Sequence, residues 1–141
     1  MTLNERQDEI IEEFSIYDDW MDKYNYLIEL SKDLPDLDPK YKVQENLIEG
    51  CQSKVWLQAN LDGDIIRFSA DSDAIITKGI AALLVRVFDK LKPVEILNGD
   101  LYFLDKIGLQ QNLSPTRSNG LLAMVKQIKL YAMAYNVKMG N

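Results

Sequence analysis

A chain of 141 residues suits one domain with a core of ordinary size, and 47% hydrophobic with 27% charged residues is the balance of a folded, soluble protein. A formal net charge of -6 argues against nucleic acid or an anionic membrane as the main partner, since both select a basic face. With no histidine and a single cysteine, the sequence excludes a Ser-His-Asp triad, a Cys-His dyad, an imidazole metal ligand and an internal disulfide.

At the N-terminus, "TLNE" has the capping-box pattern, Thr2 with Glu5 three residues on, and opens a helix through Ile10, Ile11 and Phe14. A second helical stripe runs through Tyr17, Trp20, Tyr24, Leu27 and Leu34 until Pro35 and Pro39 break it. "KVWLQAN" alternates apolar and polar residues as a half-buried strand does. Asp62-Gly63 then turns the chain, and "IIRFSA" returns as the second strand of a hairpin. "YKVQENLI" is expected to add a third strand. A core helix is predicted from Ala74 to about Lys90, capped by Ser72 or Asp73. Short helices follow, one starting at Pro93 and one closed by Gly108. Ser114 caps a last long helix whose inner face carries Leu121, Val125, Ile128, Ala132 and Tyr135. Helices, an antiparallel sheet of about three strands, then helices again make an α+β fold in a single domain over residues 1–141.

"MTLNERQDEI" lacks the basic and apolar regions of a secretory signal, and "AIITKGIAALLVRVF" is too short and too charged to span a bilayer. These features, with a lone cysteine, place the protein in a reducing cytoplasm, with neither membrane nor nucleic acid as partner.

Cys51 sits in "NLIEGCQSKVW", just before the first strand. A solitary cysteine is often an inert small hydrophobe in a core. Here, though, Gly50 permits a tight turn, and Gln52, Ser53 and Lys54 are polar, as in a functional loop beside a rigid element. The two readings stand side by side at this level. In "NLSPTRSNGL", Arg117 lies one turn before Leu121 on the inner side of the last helix. With first-turn amides it forms an anion site, or else it pairs with Asp71 or Asp73. Gly120 costs about 1 kcal/mol relative to alanine within a helix, which indicates close approach of another backbone or a surface that must stay open. Asp71 and Asp73 lack the spacing of a calcium loop, so no metal is expected.

Taken together and in this order, "ENLIEGCQSKVWL", "FSADSDAIITKGIAALL" and "NLSPTRSNGLLAMV" resemble the SufE family of sulfur-acceptor proteins, including its CsdE branch, over nearly the whole chain. The resemblance implies an IscU-like α+β fold and a carrier rather than a stand-alone enzyme. Such a protein takes persulfide sulfur from a SufS-type cysteine desulfurase, stimulates that enzyme, and passes the sulfur to the SufBCD scaffold through SufB. Pyridoxal phosphate belongs to the desulfurase, and the carrier needs no cofactor; it is a monomer or a weak homodimer. The family's sulfur-carrying cysteine falls on Cys51, its arginine on Arg117 and its loop acid on Asp73. Asn112 stands where many members have histidine. Lys54, Arg117 or helix amides would activate the thiol, while Gly50, Gln52, Ser53, Asp73 and Gly120 would shape the loop and meet the partner. Rival readings are a docking protein that activates a desulfurase without carrying sulfur, a cluster scaffold, which one cysteine without histidine serves poorly, and a thiol peroxidase.

Overall fold

A computed structural model of the chain describes residues 1–51 and 53–140. Helices α1 (Leu3–Ser15) and α2 (Trp20–Ser31) lead into a hairpin of β1 (Val55–Asp62) and β2 (Ile65–Ser72). Helices α3 (Ile75–Phe88), α4 (Pro93–Asn98), α5 (Phe103–Lys106) and α6 (Pro115–Lys138) follow. The capping box closes as expected, with the Thr2 hydroxyl accepting from the Glu5 amide and the Glu5 carboxylate from the Thr2 amide. The two strands pair antiparallel from Val55 opposite Ser72 to Asp62 opposite Ile65.

The core lies between the hairpin and the helices. Helix α3 is packed on both the hairpin and α2, and its Ile80, Leu83, Leu84, Val87 and Phe88 are buried. The α2–α3 crossing is so close that a methyl on Gly79 would lie 2.3 Å from the Leu27 carbonyl oxygen. Helix α6 covers β1, with the Tyr135 hydroxyl donating to the Ala59 carbonyl at 3.1 Å. Its fully buried positions are Gly120, Leu121, Met124, Ile128 and Ala132, whereas Val125 and Tyr135 are half-buried.

The structure corrects the sequence reading in three places. The expected third strand does not form. Pro39–Tyr41 and Gln44–Asn46 are single 3-10 turns, and Leu47 makes one bridge to Trp56. Asp38 accepts from the Lys40 amide at 3.1 Å and Asn46 donates to the Tyr41 carbonyl at 2.8 Å, so local side-chain bonds replace a ladder. Helix α2 begins only at Trp20, behind an Asp19 cap, which leaves Tyr17 outside it and against Tyr26. Helix α3 has Ala74 at its cap position and no side-chain cap from that residue; the Ser72 hydroxyl accepts from the Ala74 amide at 3.2 Å while donating to the Lys54 carbonyl, and the Asp73 carboxylate is turned to the Lys54 amide. It ends at Phe88, where the Asp89 carboxylate accepts from the Phe68 amide at 2.7 Å and Lys90 turns to φ 65.

Asp71 fastens the crossing segment to the hairpin. Its buried carboxylate accepts from the Leu37 amide at 3.1 Å and meets Lys42 and Lys78, each at 3.3 Å. Burial works to raise its pKa, but the Leu37 and Ser72 amides and the two lysines outweigh it and hold the carboxyl below its ordinary value. A depressed folded pKa stabilises above the unfolded value of about 3.9 and loses that contribution as pH falls through the folded one. Asp71→Ala should cost about 2–3 kcal/mol in urea unfolding at pH 7. The difference from the parent should shrink as the pH drops below about 4.

Candidate functional site

The site forms where the segment before β1 meets the starts of α3 and α6. Gly50 takes φ 92, a left-handed conformation that side chains resist, and this swings the chain over Ala123 of α6. Cys51 follows, half-buried, with its sulfur against Gly120. A methyl built on Gly120 would lie 2.9 Å from Cys51 Sγ, so only glycine admits the thiol there.

Beyond Cys51 the chain is clasped to the far end of the hairpin. The Lys54 amide donates to the Asp73 carboxylate at 3.0 Å, and the Asp73 amide donates back to the Lys54 carbonyl at 3.2 Å. The Ser72 hydroxyl also donates to the Lys54 carbonyl, at 2.9 Å. Between clasp and thiol, the Ser53 hydroxyl donates to Thr77 Oγ1 at 3.3 Å.

These elements enclose an open recess of about 370 Å³. Cys51 and Ser53 form one wall and Asp73, Ala74 and Thr77 a second, with Thr116, Arg117 and Gly120 of α6 closing it. Of the residues singled out in the sequence, Cys51, Ser53, Asp73, Arg117 and Gly120 therefore meet in one place. Gly50 shapes the approach without lining the recess. Lys54 has an exposed side chain outside the lining and enters only through its backbone. Gln52 lies outside the described residues.

Arg117 differs from its expected inward position. It shares a side of the helix with Leu121, but the first turn of α6 projects past the core, and Arg117 is exposed on the rim of the recess. Among the described residues it forms no ion pair, Asp71 being taken by Lys42 and Lys78 and Asp73 by the Lys54 amide. Of the first-turn amides, Pro115 has none and that of Arg117 is capped by Ser114 at 3.3 Å. Thr116 and Arg117 both line the recess, so a guanidinium and the positive end of α6 lie at its rim together.

Thr77 and Thr116 are members of the site that the sequence reading passed over. Thr77 left a signal: it is a hydroxyl in a mostly apolar helix, and once buried it needs a partner. Asn112 lies away from the recess, where it donates to the Gly108 carbonyl at 2.8 Å and its own carbonyl accepts from the Tyr24 hydroxyl. Among the described residues no cluster of acids and cysteine has the makings of a metal site, and no helix is long and apolar enough to cross a membrane.

Burial pushes the Cys51 thiol above its ordinary pKa. An unperturbed thiol is about 3% thiolate at pH 7, and this one is less ionised still. The resting site thus stores a neutral, quiet thiol beside an uncommitted cation.

Comparison with known proteins bears on the family and the fold. Residues 8–132 match the model of the SufE family, described as an Fe-S metabolism associated domain. A SufE-like protein of Rhizobium etli is 43% identical over 127 residues, 86% of this chain and 86% of that protein. A SufE-like protein of Rhizobium meliloti is 39% identical over 127 residues, 86% of this chain and 91% of that one. The solution structure of a hypothetical protein from Thermus thermophilus superposes with a TM-score of 0.75 over 92% of this chain and 94% of that one. At 20% identity it shares the fold.

The raised thiol is open to direct measurement. The rate of Cys51 alkylation by iodoacetamide should rise with pH to a midpoint above that of the same cysteine in the urea-unfolded chain. A midpoint at or below the unfolded value would mean that the recess activates the resting thiol.

Proposed function

The chain belongs to the SufE family, and on that premise we propose that it is a sulfur carrier of iron–sulfur metabolism with Cys51 as the carrying residue. The observation behind this reading is the position of the only thiol, at the lip of a recess with Arg117 on its rim. The donor in this proposal is a SufS-type cysteine desulfurase bearing a persulfide, and the acceptor is the SufBCD scaffold through SufB. Pyridoxal phosphate stays with the donor, and the carrier works in the cytoplasm as a monomer or weak dimer.

The exchange balances without an oxidant. Cys51 Sγ attacks the terminal sulfur of the donor persulfide and forms a new S–S bond. The donor S–S bond breaks, the donor cysteine leaves as a thiolate, and the proton lost by Cys51 returns to it. The Cys51 persulfide is then handed on by the same chemistry in reverse roles. With no second cysteine in the chain, no internal thiol can expel the sulfur as a disulfide.

The resting thiol must be activated during docking, because burial keeps it protonated. Arg117 and the positive end of α6 are placed to favour a thiolate or perthiolate as a partner displaces water from the recess. Lys54, exposed beyond the clasp, is free to meet the partner instead. Asp73 and Ser53 hold the loop, and Gly50 sets its entry.

Intact-protein mass spectrometry after incubation with a SufS-type desulfurase and cysteine tests the proposal. The parent should gain one sulfur atom, removable by a reductant, and Cys51→Ser should gain none. If the parent gains nothing while the desulfurase still speeds up, the protein is a docking activator with a structural cysteine.

Arg117→Ala should slow sulfur uptake about tenfold to a hundredfold, the worth of one hydrogen bond to a charged group. Its melting temperature should stay at the parent's value, since Arg117 is exposed and pairs with no acid among the described residues. An unchanged uptake rate would remove Arg117 from the mechanism.

A further inference from the structure

The contact between Gly120 and Cys51 does more than fill space. The nearest atoms to a methyl placed on Gly120 are all of Cys51, with Sγ at 2.9 Å, Cβ at 3.7 Å and Cα at 3.8 Å. The last two are ordinary packing distances, whereas 2.9 Å to sulfur is an overlap. A side chain here would thus collide with one atom, the reactive one. Gly120 belongs to a helix whose other buried positions hold side chains, and a helical glycine is costly to keep. Gly50 enters the loop at φ 92, a left-handed conformation that turns the chain toward α6 just before Cys51. Among the described residues, the loop is next held at Ser53 and Lys54.

We propose that Gly120 is a positioning residue that provides the inward seat of the Cys51 thiol, and that this seat decides whether the carried sulfur is exposed to free thiols or only to a docked partner. The part concerning sulfur rests on the carrier reading above; the seating of the thiol does not. With the seat filled by a methyl, Sγ has to turn outward. A loaded Cys51 persulfide held outside meets any small dithiol reductant. Two thiols of the reductant then deliver two electrons and two protons, returning Cys51 to its thiol and releasing hydrogen sulfide and a cyclic disulfide.

The test compares the parent with Gly120→Ala, and Cys51→Ala with the double variant Cys51→Ala/Gly120→Ala. Gly120→Ala should be alkylated by iodoacetamide at least fivefold faster than the parent, with its pH midpoint moved down toward that of the unfolded chain. After loading by a SufS-type desulfurase and cysteine, it should release sulfide to dithiothreitol faster by a similar factor. If Gly120→Ala does not fold, the double variant should fold and melt close to Cys51→Ala, because the clash is with the sulfur.

A folded Gly120→Ala with the parent's alkylation rate and midpoint overturns the seat, as does a double variant that also fails to fold. Faster alkylation with unchanged sulfide release overturns the protective role. Faster alkylation of Gly120→Ala beside a parent that takes up no sulfur sustains the seat and overturns the carrier reading.

Discussion

The site depends on the clasp between the two ends of the hairpin. Lys54 and Asp73 exchange hydrogen bonds at 3.0 and 3.2 Å, and the Ser72 hydroxyl adds a third at 2.9 Å. A two-stranded hairpin alone is marginal in water, and this one is stiffened by α3 and α6 along its length. The clasp extends that rigidity one step past the last strand pair, toward Cys51. It draws the Asp73 carboxylate away from the start of α3, while the Ser72 hydroxyl serves both the clasp and the Ala74 amide, so Ala74 at the cap position supplies no side-chain cap of its own. Loss of a helix cap costs about 1 kcal/mol. Here the same groups are committed to fixing the loop.

From that fixed point the chain reaches back to α6, where two opposed demands meet. In the proposed function, the site has to hide a carried sulfur and yet become reactive on contact. Burial answers the first demand by holding the thiol neutral. Arg117 at the rim, without an acid to neutralise it among the described residues, and the positive end of α6 address the second. Their influence on an exposed, water-filled recess is weak because water screens charge, and it grows when a partner excludes water. The physical difference between rest and reaction thus lies in the solvent of the recess and needs no new charged group.

What was legible in the sequence is what short-range chemistry determines. The Thr2–Glu5 capping box, the hairpin and the Ser114 cap each rest on groups within a few residues of one another, and each formed, the hairpin with its turn one residue later than expected, at Gly63-Asp64, because Asp62 still pairs with Ile65. The third strand and the α3 cap were misread because the groups concerned had local or distant alternatives. Asp38 and Asn46 bonded their own loop, and Asp73 bonded Lys54, 19 residues away. The family resemblance carried the motifs around Cys51 and Arg117, but the exposure of Arg117 and the inclusion of Thr116 follow from where α6 begins relative to the core. Periodicity assigns a residue to a side of a helix and says nothing about whether that side still has protein opposite it.

If Cys51 carries sulfur, the recess beside it is the berth of that sulfur. A crystal structure of the sulfur-loaded protein, with sulfur located by anomalous scattering, tests this most directly. The expected result is a second sulfur bonded to Cys51 Sγ and lying inside the recess, between Thr77 and the start of α6. A second sulfur directed into solvent, with the recess unchanged, would contradict it.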